Sequence, residues 1–197
     1  MKMKRLLFIL FIAGLMFPAG LIAQKVYKDA SNRVILDSSA TGEGIGLPAG
    51  AVTSTKKYVG VNSAPASGTW LDQATNQSTG SINATVYQKL EIATKDLGTS
   101  GLGSGTMTMT WQNAYNACKG LSPANTWRLP TQRELMLIWI FKDAIESFTE
   151  ITNFDTGYYW SSTENTADLA WYVSFSNGRM SNGYKTGSYR VRCVREL

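Results

Sequence analysis

Any chemistry in this 197-residue chain is done without histidine, because the sequence contains none. That excludes a Ser-His-Asp triad, a Cys-His pair and every His-ligated zinc site. Cys118 and Cys193 are the only two thiols. Two cysteines cannot make a four-Cys metal site, and in an exported chain they read first as one disulfide. Two inert buried thiols are the other reading. Glu164, Asn165 and Asp168 offer oxygen ligands close together. A hard cation wants six or more oxygens, so no metal is expected there. What is left is recognition. Between Glu164 and Arg190 the chain is built largely from Asn, Ser, Gly, Thr and Tyr. Tyrosine gives large contact area at low entropy cost, and small polar residues adapt to a partner. Tyr172, Tyr184 and Tyr189 sit in this stretch, and Arg179 adds a fork of donors. An ordinary solvated strand face with three half-packed tyrosines reads the same way.

Those residues need elements to hold them. Thr110 offers a helix N-cap, and Trp111, Ala114, Tyr115 and Cys118 follow at i, i+3, i+4 and i+7, with Gly120 near the end. Thr131 and Glu134 form a capping box for a second helix over about 132–147. Leu135, Ile138 and Trp139 make its stripe. Leu137, Ile140 and Phe141 widen it, so this helix should be deeply buried. After Phe154 the period falls to two. Leu169, Trp171, Val173 and Phe175 point one way, and Ala170, Tyr172, Ser174 and Ser176 the other. Trp160 and Trp171 are both expected in the core. Asn177-Gly178 is a hairpin signal and Asn182-Gly183 a second turn candidate. A strand over Tyr189 to Val194 closes the chain, with Val191 and Cys193 on one face. Val86 to Ala93 alternates as a strand, and Gly98 to Gly105 reads as a loop. Two helices followed by short antiparallel strands is an α+β order.

The first residues read as a targeting signal. Lys2, Lys4 and Arg5 precede an apolar run from Leu6 to Met16, and Ala23-Gln24 is the expected cleavage point. The run is short for a bilayer-spanning helix, the competing reading. Of the net charge of +5, three positive charges lie in this segment, leaving +2. A chain so near neutral, with no Lys or Arg runs, gives no argument for nucleic acid. Residues 24–85 are rich in Gly, Ala, Ser and Thr. Arg33 to Leu36 and Lys57 to Val61 suggest short strands, and Gly42 to Gly50 and Asn62 to Gly68 suggest turns or loops. A small β-rich region and a flexible stalk both fit. The expected organisation is a signal peptide over 1–23, this region over 24–85, and a domain over 86–197.

Three blocks carry a resemblance: Trp127-Arg128-Leu129-Pro130-Thr131, Tyr159-Trp160-Ser161-Ser162-Thr163-Glu164, and Arg190-Val191-Arg192-Cys193-Val194-Arg195. Their order and spacing resemble the bacterial C-type-lectin-like module at the C-terminus of collagen-like adhesins of the Legionella type. The blocks are also similar to retroelement-diversified variable proteins. The resemblance covers roughly Val86 to Leu197. It implies a C-type-lectin-like fold, α+β, with two helices and short antiparallel strands. It also places Cys118 on a helix and Cys193 on the last strand as a pair. Such a bond would close a loop of more than seventy residues, worth roughly 4 kcal/mol on chain entropy.

The fold has an enzymatic branch, the formylglycine-generating enzymes, which share the Arg128-to-Glu134 element. They work through a reactive cysteine pair. Here both cysteines stand at structural places, so the resemblance implies no catalytic residue, no enzyme and no cofactor. Arg128 and Glu134 then make a capping and salt-bridge element. The calcium motifs of sugar-binding members, Glu-Pro-Asn or Gln-Pro-Asp with Trp-Asn-Asp, are missing.

In diversified relatives the variable residues precede the last strand. The matching positions are Thr166, Ala167, Asp168, Leu169, Tyr172, Ser174, Arg179, Ser181, Asn182, Gly183, Tyr184, Gly187 and Tyr189. None is Met, Trp, Lys, Gln or Glu, the types that adenine-directed mutagenesis of such codons never yields. Trp171, Val173, Phe175, Met180 and Lys185 would be the fixed residues between them. The implied ligand-binding set is Thr166, Asp168, Leu169, Tyr172, Ser174, Arg179, Ser181, Asn182, Tyr184 and Tyr189. Tyr172, Ser174, Arg179, Ser181, Asn182, Tyr184 and Tyr189 are expected to form one exposed patch. The expected function is an exported adhesin- or receptor-like module for a protein or glycan ligand, meeting the membrane only through its signal peptide. A structural or pilus-tip subunit, with residues 24–85 as the assembly part, is the alternative.

Overall fold

Capping starts the helices where the sequence marks them. In the computed structural model, which describes residues 26–37 and 89–197, Thr110 accepts from the Asn113 amide and opens α1 (Trp111–Lys119). Its buried face is Trp111, Ala114, Tyr115 and Cys118, as the spacing requires. Thr131 and Glu134 complete the capping box of α2 (Gln132–Ile140). The expected single helix to Ser147 is broken. Phe141, at φ −95° and ψ 13°, leaves helical geometry, and a short α3 (Lys142–Glu146) follows. The apolar stripe is also not buried all round: Ile140 is 47% exposed.

Two five-stranded sheets carry the rest. The first runs β1 (Val26–Lys28), β2 (Val34–Asp37), β3 (Lys89–Ile92), β12 (Val194–Glu196) and β7 (Trp127–Arg128) in spatial order. The second runs β10 (Met180–Tyr184), β9 (Leu169–Ser174), β8 (Tyr158–Glu164), β11 (Tyr189–Arg190) and β6 (Thr108–Met109). A small hairpin, β4 (Leu97–Gly98) and β5 (Gly101–Leu102), lies where a loop was expected. Helices beside mostly antiparallel sheets make the fold α+β.

The expected strand at 33–36 is β2, which pairs with β3 and so adds residues 26–37 to the first sheet. The strand expected at 57–61 and the loops at 42–50 and 62–68 lie outside the described residues. The single closing strand splits in two. β11 joins the second sheet and β12 the first, with Val191 and Cys193 fully buried between them.

The second sheet separates two cores. Tyr159, Val173 and Phe175 join Leu135, Ile138 and the first sheet's apolar residues in one cluster. Trp160 and Ala170 join Trp111, Leu129, Val191 and the two cysteines in the other. Period two therefore sends alternate residues of β8 and β9 into different cores. Cys118 and Cys193 are bonded, with Cα atoms 5.6 Å apart, and tie α1 to the segment before β12.

Buried charges between these layers are paired. Arg128 meets Glu134 through two bonds of 2.7 and 2.9 Å and Glu196 at 2.5 Å. Arg192 donates to Asp96 at 2.8 Å and to the carbonyls of Ala93 and Thr152. Lys185 meets Glu164 at 2.5 Å and lies 4.7 Å from the centre of the Trp111 ring. Burying such charges is costly unless they are paired, so these contacts fix the layers rather than present free reactive groups.

Candidate ligand-binding surface

The β9–β10 hairpin is set by its turn. Gly178 takes φ +72°, and a side chain there would meet the Trp139 ring at 2.5 Å. Asn177 accepts from the Arg179 amide and closes the turn. The register then places Ser181 opposite Tyr172, Asn182 opposite Trp171, Gly183 opposite Ala170 and Tyr184 opposite Leu169. On the other side of β9, Trp160 lies opposite Tyr172 and Tyr158 opposite Ser174. Residues directly opposite share a face. One face of the sheet thus carries Tyr158, Trp160, Tyr172, Ser181 and Gly183. The reverse face carries Leu169, Trp171, Asn182 and Tyr184.

On the first face three tyrosines meet. Tyr158 and Tyr172 have ring centres 5.0 Å apart, Tyr172 and Tyr189 4.9 Å, and Tyr158 and Tyr189 5.5 Å. Their planes are tilted by 51–70°. Tyr189 also sits 4.3 Å from Trp160, which is fully buried and donates to the Met109 carbonyl. The tyrosines therefore rest on a fixed base. Tyr158 is 49% exposed and is the outermost of the three. Partial burial, with Tyr172 and Tyr158 alongside, raises the Tyr189 phenol above its usual range. The rings pack against one another, leaving no cage between them. What they offer a ligand is a tilted aromatic surface, with Ser181 opposite Tyr172 on the same face of the sheet.

The expected single patch is split. Tyr172, Ser181 and Tyr189 come together, whereas Leu169, Asn182 and Tyr184 lie on the reverse face. Ser174 shares the tyrosine face but is buried, its hydroxyl 2.9 Å from that of Ser176. It follows that Ser174 offers little to a ligand. Thr166 and Asp168 are exposed in the β8–β9 turn, where Thr166 accepts from the Asp168 and Leu169 amides. Arg179 is exposed just after the hairpin turn. Asn182-Gly183 is not a turn but the middle of β10. Trp171 is only half-buried and belongs to neither core, unlike Trp160. Tyr158 lies before Glu164, outside the stretch that composition marks for recognition. Its i, i+2 spacing to Trp160 was the available signal.

Away from the tyrosines, a cleft of about 450 Å³ lies by Lys95, Asp96, Asn153, Asp155 and Arg190. Arg190 is held by Asp155 at 2.5 Å and by Asp96 at 3.5 Å, so its charge is already matched. Beneath it, burial and the Asp96 carboxylate push the Tyr159 phenol far up. Among the described residues, no group of three or more acidic or cysteine side chains could hold a metal ion. Among them too, no helix is long and apolar enough to cross a membrane.

The family model of the Lcl C-terminal domain matches residues 65–195. The chain belongs to that family. The match takes in the bonded cysteines, the Arg128–Glu134 pair and all three clustered tyrosines. It begins ahead of the expected start at residue 86, and β1 and β2 lie before it. No curated protein matches the chain. Within this Lcl C-terminal domain, both cysteines are used in one bond, and the described residues contain no free thiol.

Proposed function

We propose that this protein is an exported or cell-surface binding module that contacts its ligand through the Tyr158–Tyr172–Tyr189 surface, and that it is not an enzyme. The observation that carries the reading is the half-exposed Tyr158 ring resting on two further tyrosines over buried Trp160. Tyrosine on a rigid support gives contact area at low ordering cost. Against catalysis stand the missing histidine and the engagement of both cysteines in a structural bond. The ligand is a protein or a glycan. A C-type-lectin-like fold and retroelement diversification remain part of this reading. Diversification is tested in the genome, by a neighbouring reverse transcriptase and a near-copy of the 3′ coding segment.

Binding itself is tested by titrating isotope-labelled protein with a panel of neutral oligosaccharides and short peptides. Amide shifts should centre on Tyr158, Tyr172, Ser181 and Tyr189. A ligand that instead moved only Asn153, Asp155 and Arg190 would transfer the site to the polar cleft and overturn the proposal. The structural-subunit alternative gains ground only if no ligand binds and residues 24–85 assemble the chain into polymers.

A further inference from the structure

The β9–β10 turn brings a cation onto the tyrosine face. The Ser174 amide donates to the Arg179 carbonyl at 2.9 Å, one step beyond the Val173–Met180 pair, so Arg179 stands opposite Ser174. On the other side of β9, Tyr158 stands opposite the same serine. Tyr158, Ser174 and Arg179 therefore form one row across three strands and share a face. Two strand spacings, about 10 Å, separate the backbones of Tyr158 and Arg179. Both are exposed while Ser174 between them is buried, so the row dips in its middle.

The polar groups along this row are unsatisfied. Arg33, Arg128, Arg190, Arg192 and Arg195 each meet a carboxylate. Among the described residues Arg179 meets none. Among them too, the hydroxyls of Tyr158, Tyr172 and Tyr189 have no hydrogen-bond partner, unlike that of Tyr159, which is bonded to Asp96 and the Asp155 amide. The carboxylates on this face lie elsewhere. Glu164 is buried against Lys185, and Asp168 is six residues along from Ser174, about 20 Å at strand spacing. Near the rings the face offers apolar area, hydroxyl donors and one uncompensated positive charge.

The spacing selects a ligand conformation. In a polyproline II segment residues i and i+3 lie on one side, about 9 Å apart, which matches the Tyr158–Arg179 row. In an extended strand the residues on one side recur at about 7 and 13 Å, which does not. A polyproline II backbone also has no internal hydrogen bonds, so its carbonyls can accept from the phenols. Proline rings dock on aromatic surfaces at little ordering cost. We propose that the tyrosine surface takes a proline-rich polypeptide segment in which a glutamate or aspartate lies three residues from the proline seated on Tyr158, and that Arg179 selects that carboxylate through its fork of donors. The inference rests on the tyrosine surface being the ligand site.

The test is an amide-shift titration of the purified protein with acetyl-Pro-Pro-Pro-Glu-Pro-Pro-amide, with its Gln counterpart, and with neutral and glucuronate oligosaccharides. The Glu peptide should shift Tyr158, Tyr172, Tyr189 and the Arg179 side chain. It should bind about threefold to fivefold more tightly than the Gln peptide, the scale of an exposed ion pair, and the difference should shrink as salt is added. Arg179→Gln, with an unchanged melting temperature, should bind the two peptides alike. A Glu preference that survives in Arg179→Gln overturns the proposal, as does the absence of any shift with the Glu peptide up to about 5 mM. Tyrosine shifts from an oligosaccharide but not from the Glu peptide overturn it too, yet leave the tyrosine surface as the ligand site. Shifts confined to Asn153, Asp155 and Arg190 with every probe overturn both readings.

Discussion

The ring of Tyr189 occupies the space that a side chain at Gly183 would need. A Cβ on Gly183 would lie 2.7 Å from the Tyr189 hydroxyl oxygen and 3.0 Å from its ring. This contact explains why Asn182-Gly183, a turn signal in sequence, sits inside a strand. The glycine is there for a neighbour six positions later, not for a positive φ. It also links β10 to the aromatic surface, since Tyr189 is the ring that touches Trp160, Tyr172 and Tyr158.

Gly183→Ala should push Tyr189 away from its place and loosen the cluster. Overpacking of this kind costs about 1–3 kcal/mol. Aromatic proton shifts of Tyr158, Tyr172 and Tyr189 should move together, with a lower denaturation midpoint. An unchanged Tyr189 spectrum would show that the ring does not lie over Gly183.

The disulfide should leave no thiol to titrate in the oxidised, denatured protein. Its two residues are 75 apart in sequence. Closing a loop of that size stabilises by roughly 4 kcal/mol on chain entropy. Reduction should therefore lower the unfolding midpoint sharply. Two free sulfhydryls in the unreduced protein would refute the pairing.

Trp160 and Trp171 should behave differently. Trp160 is fully buried between Trp111, Val191 and the disulfide and is hydrogen-bonded through its indole nitrogen. Trp160→Ala should cost about 3–5 kcal/mol. Trp171 is half-buried outside both cores, so Trp171→Ala should cost clearly less. Equal losses in denaturant unfolding would place Trp171 in a core after all.

The two tryptophans show how far local pattern reaches. Period two put Trp171 on the same face as Val173 and Phe175, and it is there. Alternation says nothing about what covers each part of a face. Near Val173 and Phe175 the cover is α2, whose Trp139 donates to the Phe175 carbonyl; Trp171 is not part of that cluster. The capping box at Thr131 and the face of α1 were legible because their partners are three and four residues away. The break at Phe141 and the division of the last strand between two sheets were not, because distant strands decide them. In the site, Tyr172 and Tyr189 stood out by composition, but only the register separates them from Tyr184 and adds Tyr158.

Alkaline pH should weaken the fold through Tyr159. Burial and the Asp96 carboxylate disfavour its phenolate, so its folded pKa lies above the unfolded value near 10. A raised folded pKa means the unfolded chain releases the proton first. The stabilisation is complete below pH 10 and is lost as pH rises beyond it. Tyr159→Phe removes the bonds to Asp96 and from the Asp155 amide and should cost about 1–3 kcal/mol at neutral pH. Its stability should then fall less steeply than wild type above pH 10. Parallel pH profiles from denaturant unfolding would assign the alkaline loss to other groups.

The binding surface makes the sharpest claim about single residues. Tyr158 and Tyr184 are both exposed tyrosines, but they lie on opposite faces of one sheet. Tyr184→Ala removes a largely exposed side chain and should change stability by no more than about 0.5 kcal/mol, whereas Tyr158→Ala also loses its ring contacts with Tyr172 and Tyr189 and should cost about 0.5–1.5 kcal/mol. Contact residues of this type commonly carry 1–2 kcal/mol or more of binding energy. Tyr158→Ala should therefore weaken ligand binding about tenfold or more. Tyr184→Ala should leave it unchanged. Tyr172→Ala should lose both affinity and some stability, because that ring also packs on the core around Trp160. The reverse outcome, with Tyr184 essential and Tyr158 neutral, would move the site to the Leu169–Trp171–Asn182 face and leave the tyrosine cluster as packing.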